Sequence, residues 1–224
     1  MNMILRKILS APLLFWIVIG FLISYLLFFI KPVFFSSTIM QFPEYIQTID
    51  PIGYDLKQMR SYSESLFINK QTPYIGNNLY PPLASVLFGP FLLLSFGESY
   101  KILSLITIIA FIFLPFLLWA GKEKTTLIGL FILAGLFSYG FQFELERGQF
   151  NIISMFLCFL GLWIFYYHKK SRILAYIFFS LSIQLKVFPF IFMLLFIDNS
   201  QRLKTNILRL AGLALSNFLL LFIL

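Results

Sequence analysis

A carboxylate can take a proton from a sugar hydroxyl, and a lysine or arginine can stabilise a departing phosphate. Both kinds of group occur at three separated places in this sequence. Asp50 and Asp55 stand in a polar stretch, 31–79, that closes on Tyr80-Pro81-Pro82-Leu83. The second place is Glu144-Leu145-Glu146-Arg147-Gly148-Gln149-Phe150-Asn151, and the third is Lys186, alone in the apolar stretch 173–197. Together they would suit group transfer from a lipid phosphate.

Each also has a plainer explanation. Ordinary loops contain charges. A short turn between apolar helices needs only a glycine and a few polar residues, so Glu144, Glu146, Arg147, Gln149 and Asn151 exceed that need, unless the acids simply pair with Arg147 at an interface. A cation inside an apolar stretch is a functional candidate by default, whereas snorkelling to the surface is the plain alternative for Lys186. Pro81 and Pro82 could form a rigid entry to a helix, and Tyr80 could be an interfacial aromatic.

No metal site is expected. Asp50 lies five residues before Asp55, too loose a separation to claim a shared ion, for which two or more converging carboxylates are the stronger sign. The single histidine, His168, stands beside Lys169 and Lys170 and cannot build a cluster alone. A divalent cation is compatible with the sequence without being implied by it, and no other cofactor is suggested. Cys158, the one cysteine, lies in an apolar segment, so no disulfide forms within the chain and the residue reads as a small apolar filler.

The elements that would position these groups are membrane helices. Sixty percent of the 224 residues are apolar, 12% are charged, thirty are Phe, and the mean hydropathy is +0.90, which is the composition of a membrane protein. A β-barrel would alternate with a period of two, but stretches such as 152–167 are apolar on every side. The expected fold is therefore all-α, a polytopic integral membrane protein and one membrane domain over 1–224. About seven segments are expected: 12–30, 101–119, 126–143, 150–167, two short pieces of 173–197 meeting near Lys186, and 208–224. One tilted, kinked helix over 173–197 is the alternative. Residues 83–96 are too few to cross and contain Gly89-Pro90, so they are placed as a re-entrant or interfacial helix on the outer side. The segment 12–30 is read as an uncleaved anchor, against a cleaved signal peptide.

The net charge of +8 could suggest nucleic acid until it is mapped onto this topology. Arg6, Lys7, Lys122, Lys124, Lys169, Lys170, Arg172, Arg202, Lys204 and Arg209 then fall on one side with only Glu123 and Asp198, while the other side carries seven bases and seven acids. The excess is the positive-inside signature. It puts the N-terminus in the cytoplasm, makes 31–82 a large non-cytoplasmic first loop, and removes the motive for nucleic-acid binding. Asp55, Tyr80, the 144–151 turn and Lys186 share the outer face.

The pieces Asp55-Leu56, Thr72-Pro73-Tyr74 and Tyr80-Pro81-Pro82-Leu83, then Arg147-Gly148-Gln149-Phe150-Asn151 and Leu185-Lys186-Val187-Phe188-Pro189, resemble in that order the motifs of glycosyltransferase family 87, polytopic enzymes of the GT-C superfamily. The resemblance implies transfer of a hexosyl unit, often mannose, from a polyprenyl-phosphate sugar to a glycan or glycolipid acceptor on the outer face of the cell membrane. By analogy Asp55 would be the general base. Tyr80, Pro81 and Pro82 would shape the donor site, and Arg147, Gln149 and Lys186 would hold phosphate or sugar, with Glu144, Glu146 and Asn151 beside them in the same motif. Family members carry more spans than this sequence shows, so the C-terminal part of the family fold is expected to be missing. Two rivals remain from the residues alone. A transporter or lipid-carrier flippase would show repeated halves and mid-membrane polar groups, and a non-catalytic assembly subunit would bind without turnover.

Overall fold

The computed structural model of the protein describes residues 19–20, 52–74, 80–118, 125–136 and 138–222. Asp50, Lys122, Lys124 and nearly all of the expected first span at 12–30 lie outside them. Every regular element among the described residues is helical: α1 Tyr54–Phe67, α2 Pro82–Leu87, a 3-10 segment Gly89–Leu93, α3 Phe96–Leu118, α4 Thr125–Leu136, α5 Tyr139–Arg147, α6 Asn151–Tyr167, a 3-10 turn Lys169–Ser171, α7 Arg172–Leu185, a 3-10 segment Phe188–Phe196 and α8 Leu203–Leu220.

The stretch around Asp55 is a helix where the polar composition predicts a loop. Leu56, Met59, Tyr62 and Ser63 recur at helical spacing and form the buried face of α1, with Asp55 in the first turn. That face docks on the 82–93 region. Ser63 Oγ donates to the Ser85 carbonyl at 2.7 Å, and the Arg60 guanidinium donates to the carbonyls of Phe91 at 2.6 Å and Leu94 at 3.0 Å. Arg60 thus adds a charged donor to the carbonyls at the end of the 3-10 segment, where the Phe91 carbonyl also accepts the Leu94 amide at 3.3 Å. Pro82 occupies the first turn of α2, where no amide donor is required.

Of the described helices, one is by itself long and apolar enough to cross a bilayer, over Phe96–Leu117. The expected continuous segment 126–143 is instead broken. Ser138 starts a new helix by accepting the Phe141 amide at 3.2 Å, so α4 stops after twelve residues and α5 begins. Gly140–Arg147 and Asn151–Tyr167 meet at a bend of 110°, which points the polar end of α5 at the start of α6. Near Lys186 the chain does change element: α7 ends at Leu185 and a 3-10 segment starts at Phe188, with Pro189 in its first turn.

Three apolar clusters hold these pieces. Leu56, Met59, Ala84, Phe88, Phe150 and Leu185 unite α1, α2 and the starts and ends of α6 and α7. Ile108, Phe111, Ile132, Leu136 and Phe141 join α3, α4 and α5. Phe165, Ala175, Phe179, Phe196 and Leu213 join α6 to α7, the second 3-10 segment and α8. The α6–α7 contact is close because Gly161 lacks a Cβ, which would stand 2.8 Å from the Ala175 carbonyl oxygen.

Candidate active site

The first cluster carries the candidate residues on its outer edge. Gly53 and Gly148 both have positive φ, 79° and 64°, and they bring α1 and the α5–α6 turn together. A Cβ on Gly148 would lie 3.1 Å from Leu56 Cβ and 3.3 Å from Gly53 Cα. Glycine at 148 therefore serves both the left-handed turn and the close approach. The two strands of chain are tied by the Gly53 amide donating to the Glu146 carbonyl at 2.7 Å, and Tyr100 adds a hydroxyl donated to the Leu145 carbonyl at 2.9 Å.

Across this junction Arg147 Nη2 donates to Asp55 Oδ1 at 2.7 Å, joining residues 92 positions apart. Asp55 is 5% exposed. The hydrogen bond to Asp55, against partial desolvation, holds the Arg147 guanidinium above its usual pKa. The guanidinium also stands over the rings of Tyr54, at 5.1 Å, and Phe143, at 5.5 Å. Its Nε is buried without a hydrogen-bond partner among the described residues.

Lys186 arrives from the end of α7. Its Nζ lies 4.5 Å from the centre of the Tyr80 ring and 4.9 Å from that of Phe150, and donates to the Tyr80 hydroxyl at 3.3 Å. These rings pack on each other at 5.2 Å, and Phe150 packs on Phe88 at 4.9 Å. Burial lowers the Lys186 pKa, partly countered by Asp55 and Glu144. Burial, helped by Asp55, pushes the Tyr80 phenol up to about 12. Tyr74 reaches the same corner, its hydroxyl donating to the Tyr80 carbonyl at 3.4 Å.

Glu144 plays a different part. Its Oε1 accepts the Ile152 amide at 2.9 Å and its Oε2 accepts Asn151 Nδ2 at 2.8 Å, so the carboxylate caps the N-terminus of α6. Burial raises its pKa while these bonds oppose the shift. Asn151 Nδ2 also donates to Gln149 Oε1 at 2.6 Å, and the Gln149 amide to the Glu144 carbonyl at 2.9 Å. Glu146 makes no side-chain hydrogen bond or ion pair among the described residues. Pro81 and Pro82, which follow Tyr80 in the chain, are both buried.

The arrangement thus brings Asp55, Arg147, Tyr80 and Lys186 into one electrostatic neighbourhood, with Glu144 close enough to be felt by Lys186. Gln149 and Asn151 serve the turn. Phe150 and Tyr54, which sequence reasoning did not single out, supply the aromatic faces beneath the cations. Their signal was adjacency, Phe150 inside the 147–151 motif and Tyr54 next to Asp55. No group of three or more His, Cys, Asp or Glu able to hold a metal occurs among the described residues. Two apolar grooves of about 550 and 530 Å³ flank α8, and neither is lined by Asp55, Arg147 or Lys186.

The described residues are thus helical, with one helix long and apolar enough to cross a membrane and two cations beside a buried carboxylate. The model described as Glycosyltransferase family 87 matches residues 78–222, and the chain belongs to that family. It is a glycosyltransferase by family, with a sugar donor and an acceptor as substrates. Tyr80, Arg147 and Lys186 fall inside the matched stretch, and Asp55 precedes it. No curated protein and no solved structure matches the chain.

Proposed function

We propose that the chain is a GT-C-type hexosyltransferase of the cell membrane, crossing it several times with its N-terminus in the cytoplasm. It moves a hexosyl unit, mannosyl by family analogy, from a polyprenyl phosphate to a glycan or glycolipid acceptor on the non-cytoplasmic face. The observation that supports this most is the meeting of Asp55 with Arg147 at 2.7 Å beside Lys186. Two cations and one carboxylate from three distant elements are what a sugar phosphate and an incoming hydroxyl would need.

In this reaction the acceptor hydroxyl oxygen attacks the anomeric carbon, and the bond from that carbon to the phosphate oxygen breaks in the same displacement. The hydroxyl proton passes to Asp55. The electron pair leaves with the polyprenyl phosphate, whose charge Arg147 and Lys186 stabilise. The Nε of Arg147, without a hydrogen-bond partner among the described residues, supports this role, since buried donors normally find an acceptor. The re-entrant placement of 83–96 agrees with the short, interrupted helices there.

The test is incubation of membranes containing the protein with labelled polyprenyl-phosphate mannose and membrane acceptors. Labelled product that disappears in Asp55→Asn is the expected result. Binding of the donor without product would move the reading to a carrier flippase or assembly subunit, and full activity in Asp55→Asn would remove that residue from the role.

A further inference from the structure

The second concentration of charge lies at the other end of α7, away from Lys186. The basic runs at 169–172 and 202–209 converge there around one ring: the Arg172 guanidinium stands 4.8 Å and that of Arg209 5.0 Å from the centre of Phe165. Lys169, Lys170, Arg202 and Lys204 are exposed about them. One carboxylate, Asp198, is present in the cluster, and it is committed to Arg172 Nη2 and to the amide and hydroxyl of Ser200. Arg209 donates only to neutral acceptors, the Phe196 carbonyl at 3.0 Å, Asn206 Oδ1 at 2.8 Å and Gln201 Oε1. It has no ion pair among the described residues.

Arg209 also lines the groove of about 550 Å³ between α7 and α8, whose walls include Ile173, Ile177, Leu208 and Leu213. Ile173 is 76% exposed and Leu208 63%. Gly212 faces it with open space where a Cβ would stand. An apolar trough that ends on a guanidinium with no carboxylate partner among the described residues, within a basic rim, complements the charge and shape of an anionic amphiphile.

We propose that this groove binds one anionic phospholipid of the cytoplasmic leaflet, its phosphate on Arg209 and the neighbouring lysines and its acyl chains along α7 and α8. Basic pockets between membrane helices on the cytoplasmic side are suited to such headgroups, and the apolar walls add the buried area that a headgroup alone lacks. From Arg209 the groove runs along α7 as far as Gln184 and Leu83, and neither Asp55 nor Lys186 lines it. It rests on the membrane placement of α7 and α8, not on the transfer chemistry.

The test uses the full chain purified in detergent, mixed with phosphatidylglycerol or phosphatidylcholine of identical acyl chains, or with glycerol 3-phosphate alone. Bound lipid is counted by native mass spectrometry. Phosphatidylglycerol is expected to be retained at least about tenfold more tightly than phosphatidylcholine, a difference of about 1.4 kcal/mol, and glycerol 3-phosphate is expected not to compete. Arg209→Gln should bring the two lipids level. Gly212→Leu, which fills open space and so leaves the fold intact, should lower retention of both. Equal retention of the two lipids by the unaltered protein, or unchanged binding in Gly212→Leu, overturns the proposal. Competition by glycerol 3-phosphate at matched concentration would make the site one for a soluble anion and overturns it equally.

Discussion

The Asp55 carboxylate is occupied by the Arg147 guanidinium at 2.7 Å, and an acceptor hydroxyl would have to share it. Arg147 is the partner of Asp55 and, in the proposed reaction, the residue that receives the donor phosphate, so donor binding would free the Asp55 carboxylate for the acceptor. Asp55→Asn keeps an acceptor for Arg147 and should leave expression unchanged while lowering transfer by about 10²–10⁴-fold, the range for loss of a general base. Glu144→Gln is the control, because Glu144 already serves the amide of Ile152 and Asn151. Assayed in parallel, it should retain transfer within about tenfold of the unaltered protein, less than loss of a general base would cost. A larger loss there than at Asp55 would exchange the two roles. Lys186 gives a pH signature. Burial lowers its pKa below the ordinary lysine value, so its charge is lost as pH rises, earlier than for an exposed lysine. Phosphate capture should decline along the same limb of kcat/KM, which reports the free enzyme. Lys186→Arg stays charged throughout and should remove the limb. Persistence of the limb in that variant would assign it to another group.

The elements explain which of these residues were legible and which were not. Arg147 and Lys186 stand out in the sequence because they interrupt apolar surroundings. Asp55 was visible only by its neighbours in motif order, and its place on a helix was hidden by the polar content of 31–82, although Leu56, Met59 and Tyr62 carry the helical period. The break at Ser138 was missed for a related reason. Hydropathy runs smoothly through 126–143, and a single capping hydroxyl, not a change in polarity, ends one helix and starts the next. The pairing of Asp55 with Arg147 depends on two glycines with positive φ at the junction, which no periodicity reveals. Gly148→Ala puts a Cβ into a left-handed turn with Leu56 Cβ 3.1 Å away. It should cost about 1–2 kcal/mol of stability, read as a lower melting temperature in detergent, and should reduce transfer further than that loss of folded protein accounts for. Transfer that falls only in step with folded protein would mean that the turn does not set the Asp55–Arg147 geometry.

At the scale of the whole molecule the proposal requires one face for the chemistry and the other for the basic rim. Helical class and membrane character follow from composition, but sidedness rests on the distribution of seventeen bases and nine acids and on 83–96 not crossing. If that segment spanned, the 144–151 turn would move to the cytoplasm and the positive bias would fail. Cysteine accessibility decides it cleanly, since the only native cysteine, Cys158, is buried. Single cysteines at Lys57 and Val187, both exposed and next to the site, should react with a membrane-impermeant thiol reagent added to intact cells. Cysteines at Lys170 and Lys204 should react only after the membrane is opened. Labelling of positions 57 and 187 from opposite sides would separate Asp55 from Lys186 by a bilayer, and no displacement reaction could then use both.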